Sequence, residues 1–138
     1  MKALILIISL AVPLIVLFPA SAGGVKSKPK VVDTDVCSVL KAPETFVNHV
    51  IRLRGYVFLG EDHMNISSTL CPGRGIELVI KTEAAMDHRD IHHFYVQMNQ
   101  QGRRGVATIT GLIESDKDPL TPYVLNIQHV KDVAPRPK

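Results

Sequence analysis

Histidines are the residues in this sequence that most suggest chemistry. His88 and His92 are four apart in a stretch with helical periodicity, a spacing that can aim two imidazoles at one metal ion, and Asp90 and His93 are close by. A metalloprotease helix would carry glutamate directly after the first histidine. Arg89 stands there instead, so the general base is missing and a catalytic metal is disfavoured. His88 also falls on the apolar stripe, where a packed and hydrogen-bonded imidazole is the plain alternative. His88 and His92 are therefore candidate metal ligands, and no cofactor is expected.

Nucleophiles are less promising. Cys71 begins the turn Cys71-Pro72-Gly73-Arg74-Gly75, but a catalytic cysteine needs an activated thiolate and an oriented base, and the sequence places neither. Ser67 and Ser68 lack the G-x-S-x-G turn of a nucleophilic serine. Glu61 and Asp62 are adjacent, so in extended chain they point to opposite faces, a poor start for paired acid and base work. Gly73-Arg74-Gly75 has neither the length nor the Lys-Ser/Thr ending of a phosphate loop. These absences favour a noncatalytic protein.

Binding is the stronger class. Arg52, Arg54, Tyr56 and Phe58 form a basic and aromatic row at every second residue, able to stack on and pair with an anionic ligand. The alternative is a solvated strand face with Tyr56 and Phe58 covered by an N-terminal helix. The turn Gly60–His63 and the turn-rich stretch Ser115–Pro122 are the candidate recognition loops. Arg52, Arg54, Tyr56, Glu61, Asp62 and His63 are the candidate ligand-binding residues.

The elements that must position them are legible from periodicity. Asp35 can cap a helix over Val36–Leu40, Pro43-Glu44 opens a further turn, and Asn48 suits a left-handed ending. Alternation predicts a strand over Val50–Leu59, with Ile51, Leu53, Gly55, Val57 and Leu59 on one face. Strands at Met64–Leu70 and Ile76–Ile80 follow. Ala84, His88, Ile91, Tyr95 and Met98 then recur at helical spacing, with Thr82 or Asp87 as cap and Gly102 as terminator. Gly105–Glu114 and Tyr123–Val130 complete the series. Three strands, a helix and two strands is the order of an OB-like five-stranded Greek-key barrel, mainly β, with a helix between the third and fourth strands and a short N-terminal helix. A generic α+β sheet with one covering helix is the alternative.

The N-terminus supplies the expected address. Lys2, the apolar run Ala3–Phe18 and the small residues Pro19 to Gly23 have the order of a cleavable signal peptide, with Ala20 and Ala22 placing cleavage after Ala22. The run is shorter than the roughly 20 residues of a membrane span and Pro13 interrupts it, so no stable span is expected after cleavage. The expected division is a signal peptide at 1–22, a flexible basic tether at 23–30, one domain at 31–133 and a basic tail at 134–138. Export makes a disulfide between Cys37 and Cys71 chemically reasonable, the alternative being two free buried thiols. It would close a loop of about 35 residues, worth on the order of 3 to 4 kcal/mol in the chain-entropy model.

The whole chain carries a formal charge of +3, yet residues 31–133 hold 10 basic and 13 acidic side chains, a net −3. Basicity belongs to the ends. Tryptophan is absent, so single-stranded nucleic acid is a disfavoured partner and ranks third, behind metal binding.

The run Val36-Cys37-Ser38-Val39-Leu40, then Pro43-Glu44-Thr45-Phe46, the strand Val50 to Gly55, Cys71-Pro72 and Thr108-Ile109-Thr110-Gly111 resemble a group of small exported bacterial proteins of unassigned function. The resemblance covers Val36 to Val133, with Asn48 where glycine would be expected. It implies a periplasmic OB-like domain with the two cysteines paired, and it implies no activity. The resulting expectation is a periplasmic or secreted binding or interaction domain of the bacterial cell envelope, with an envelope protein, a glycan or a small charged ligand as partner.

Overall fold

A computed structural model describes residues 28–137. The expected signal peptide and most of the tether lie outside the described residues.

The chain enters as a two-residue strand, β1 (Val32–Asp33), which lies parallel to the start of the long β2 (Val50–Leu59). Between them, Asp35 caps helix α1 (Val36–Lys41) by accepting the Ser38 N–H at 2.9 Å and the Ser38 hydroxyl at 2.6 Å. Val36 and Val39, three apart on one face, are the buried residues of this helix. A 3-10 turn at Pro43–Phe46 follows, and Asn48 takes the left-handed φ of 64° before β2 begins.

Five strands close a barrel. β2 pairs antiparallel with β3 (Met64–Ser67), which pairs with β4 (Gly75–Val79). β4 runs parallel to β6 (Tyr123–Pro135), β6 pairs antiparallel with β5 (Arg104–Ser115), and β5 returns to β2 over Val50–Phe58. This is the OB-like Greek-key barrel, with β1 as an added strand. Every second residue faces inward: Ile51, Leu53 and Val57 of β2 meet Ile66, Ile76, Leu78, Ala107, Ile109, Ile113, Leu125 and Ile127 in one core.

The structure revises three sequence-based boundaries. β3 stops at Ser67, where Ser68–Leu70 turn away and the Ser68 hydroxyl accepts the Leu70 N–H at 3.2 Å. The single expected helix is two: α2 (Glu83–Met86), capped by Thr82, and α3 (Arg89–Gln100). His88 has the extended ψ of 123° and is the N-cap of α3, so it is not on a helical stripe. The buried face is instead Ile91, Phe94 and Met98, each fully buried against the barrel, with Tyr95 half-buried beside them. Gly102, at φ 69°, ends this helix as expected, and the Arg103 N–H donates to the Met98 carbonyl at 2.7 Å. β6 continues past Val130 to Pro135 because β5 supplies partners as far as Gly105, which pairs with Pro135.

The cysteines form one disulfide, Cys37–Cys71, with a Cα–Cα distance of 5.7 Å. It ties α1 to the turn between β3 and β4.

Candidate functional site

Alternation along β2 points Arg52, Arg54, Tyr56 and Phe58 outward, as the sequence indicates, but their partners differ in kind. Arg52 makes a two-pronged pair with Asp33 of β1, Nε to Oδ1 at 2.6 Å and Nη2 to Oδ2 at 2.9 Å. The hydrogen bond from Arg52 holds the Asp33 carboxyl below its ordinary range, and the same contact raises the guanidinium. Arg54 Nη1 donates to the Thr108 hydroxyl at 3.1 Å and the Asp132 carbonyl at 3.3 Å. Both arginines are thus engaged within the molecule, Arg52 holding β1 on the barrel and Arg54 joining β2 to β5 and β6.

The two aromatic rings carry arginines of their own. The Arg136 guanidinium carbon lies 5.3 Å from the Tyr56 ring centre, and that of Arg104 lies 5.5 Å from the Phe58 ring centre. Together with Ser67 and Gly105 these rings and arginines line a pocket of about 340 Å³ on the outer face of β2, β3 and β5. No residue of α1 lines the pocket.

Beside it, across β3, lies a cleft of about 550 Å³. Asn65 and Ser67 point into it from β3, and Glu77, opposite Asn65 in register, from β4. Arg74 comes from the β3–β4 turn, His63 from the turn Gly60–His63, which the Gly60 N–H closes on the His63 carbonyl at 2.7 Å. Thr121 comes from the loop Ser115–Pro122. That loop braces itself: Asp116 Oδ1 accepts the Asp118 N–H at 3.1 Å, Asp118 Oδ1 accepts the Leu120 N–H at 2.9 Å, and the Thr121 N–H reaches the Asp118 carbonyl at 3.2 Å. Arg74 and Thr121 also border a groove of about 340 Å³ with Leu40, Pro43 and the exposed Leu120.

Of the six residues expected to bind ligand, Tyr56 and His63 line these two outer-face cavities, whereas Arg52 and Arg54 line neither. Glu61 and Asp62 border a separate depression near Ile80 and Tyr95, with His63 shared between the two sides of the turn. Sequence reasoning passed over Asn65, Ser67 and Glu77, although the alternation of β3 and β4 could have placed them outward. Arg74, Thr121, Arg104 and Arg136 have no local signal, since folding alone brings a turn, a loop and the C-terminal end to one face.

His88 and His92 are both exposed. The His88 ring stands edge-on to His129, 6.2 Å between centres, and His129 Nδ1 lies 3.2 Å from Asp90 Oδ2. Among the described residues no group of three or more His, Cys, Asp or Glu side chains is arranged to hold a metal ion.

No family model and no curated protein matches the chain. Among solved structures, OBody AM2EP06 bound to hen egg-white lysozyme is similar with a TM-score of 0.50 and 13% identity, over 67% of this chain and 86% of that chain. OBody AM3L09 bound to hen egg-white lysozyme gives 0.48 and 12% over 67% and 88%. At such identity the first likeness shows the fold.

Proposed function

We propose that this protein is a noncatalytic binding or interaction domain of the bacterial cell envelope, exported by a signal peptide cleaved after Ala22 to the periplasm or beyond. Its partner is an envelope protein, a glycan or a small charged ligand. The observation that carries the reading is the 550 Å³ cleft, because its walls are two barrel strands, the turn between them with Arg74, and one residue from each of two loops, His63 and Thr121. In an OB-fold the second and third strands and the loops after the first and fourth strands are where ligands bind, and here these are β3, β4 and the two loops in question. The disulfide supports the address, since such bonds persist in oxidising compartments. OBody AM2EP06 is itself bound to a protein, which is in keeping with an interaction role for a barrel of this shape.

Metal binding by His88 and His92 has less support, because the His88 ring finds His129 as its neighbour. Nucleic-acid binding has less again, for the acidic balance of residues 31–133.

The test is cross-linking in the native envelope with a photoreactive side chain placed at Asn65 or Thr121, and at Asn99 on the exposed side of α3 as control. A defined product is expected from the first two positions only, and R74A/E77A should reduce it at least tenfold while leaving thermal unfolding unchanged. Equal products from Asn99, or none lost in R74A/E77A, would place the binding surface elsewhere.

A further inference from the structure

The Tyr56–Phe58 pocket has a feature that the neighbouring cleft lacks: two arginines already placed over aromatic rings. Tyr56 and Phe58 are two residues apart on one strand, hence about 7 Å apart along it. Each has a guanidinium over its ring, from Arg136 at 5.3 Å and Arg104 at 5.5 Å. A guanidinium attracted to the negative face of a ring keeps its N–H groups available, and these can grip an oxyanion with two parallel hydrogen bonds.

Charge points the same way. Among the described residues, Arg52, Arg54 and Lys81 have carboxylate partners, but Arg104 and Arg136 have none. No carboxylate lines the pocket that these two border. Two unopposed cations thus share one pocket, Arg104 from the net-negative segment 31–133 and Arg136 from just beyond it. Base stacking is the poorer use of these rings, because arginine already occupies a face of each.

We infer that Arg104 and Arg136 form a clamp for a ligand oxyanion, carboxylate or phosphate, held on the Tyr56–Phe58 platform. Both guanidiniums line the same pocket, and a guanidinium can hold a carboxylate or phosphate with two parallel hydrogen bonds, so one such group in the pocket is within the reach of both flexible side chains. Ser67 lines both this pocket and the larger cleft, so the remainder of the ligand can run from the clamp across β3 into the cleft. The inference rests on the binding reading above for the choice of face and adds the chemistry of the ligand.

The test is a nuclear magnetic resonance titration of the purified protein with inorganic phosphate, succinate and the uncharged succinamide at constant ionic strength. Saturable amide shifts at Arg104, Gly105 and Arg136 are expected with at least one anion and not with succinamide; which anion is tighter tells a phosphate from a carboxylate ligand. R104A/R136A should weaken binding at least tenfold. R104K/R136K should weaken it at least fivefold, because lysine keeps the charge and loses the fork. Shifts that never saturate, or lysine variants that bind as well as arginine, overturn the clamp. So does single-stranded DNA that binds tightly while both small anions are inert. Failure of the anion titration with the Asn65 cross-link intact refutes the clamp alone; loss of that cross-link with saturable anion binding refutes the envelope partner and leaves the clamp.

Discussion

Asp90 illustrates how a side chain beside a suspected metal site can be explained by packing. Its Oδ2 accepts the backbone N–H of Val130 at 3.0 Å and lies 3.2 Å from His129 Nδ1, so one carboxylate fastens the first turn of α3 to β6. Partial burial works to raise its pKa, but the hydrogen bonds from Val130 and His129 outweigh that and hold the carboxyl below its ordinary value. A group whose folded pKa is depressed contributes stability that is fully present above its unfolded pKa and is lost as pH falls through the folded one. The Asp90 contribution should therefore be complete above about pH 4 and fade below it. D90A should cost about 1–2 kcal/mol at neutral pH, the worth of a charge-assisted hydrogen bond reduced for partial exposure. Urea unfolding of wild type and D90A at pH 7 and at pH 3 checks both statements: the gap between them should narrow at the lower pH. A gap that widens there would mean that the carboxylate is not what fastens the helix.

The elements that alternation announced are those that see the core on one side only. β2 and β5 carry unbroken inward series, Ile51, Leu53, Gly55, Val57 and Ala107, Ile109, Gly111, Ile113, and both stand where the sequence predicts them. β1 was not legible because two residues cannot show a period, and the break before α3 was not because His88 continues an apparent spacing that the backbone abandons. The site was legible in part for the same reason. Tyr56 could be assigned to an outer face, but the Asp33 and Asp132 partners that engage Arg52 and Arg54 arrive from distant elements. Gly55 stands in mid-strand, where glycine marks a bend or a close backbone approach, and the structure shows the approach. A Cβ there would lie 2.7 Å from Ile66 Cγ1 and from the Ser67 carbonyl oxygen, and 3.1 Å from Val36 Cγ2 of α1. One of these neighbours is backbone on the paired strand, which cannot swing aside as a side chain can. G55A should therefore destabilise by about 1–3 kcal/mol through overpacking, despite alanine's better strand propensity. Thermal unfolding of G55A at or above the wild-type midpoint would show that α1 is less tightly seated than these distances indicate.

At the scale of the whole molecule, one covalent bond joins what the barrel itself does not. The five barrel strands close through backbone pairing alone, whereas α1 precedes them and is held by its buried Val36 and Val39 and by the bond from Cys37 to Cys71. Cys71 lies in the turn that leads to Arg74, so the bond also fixes one wall of the cleft. The cysteines are 34 residues apart, and closing a loop of that length stabilises by about 3–4 kcal/mol through the unfolded chain. Because the strands carry their own core, C37S/C71S should still fold cooperatively, with a midpoint lowered by more than about 10 °C. Its loss should also be uneven. Amide exchange should quicken first in residues 36–41 and 72–75, the segments the bond restrains, while β2 and β5 keep protection close to the global limit. The corresponding measurement is hydrogen exchange on the oxidised protein and on C37S/C71S, read element by element. Uniform loss of protection across the barrel would mean that the bond supports the core itself; coincident exchange in the two proteins would mean that α1 and the turn hold their places without it.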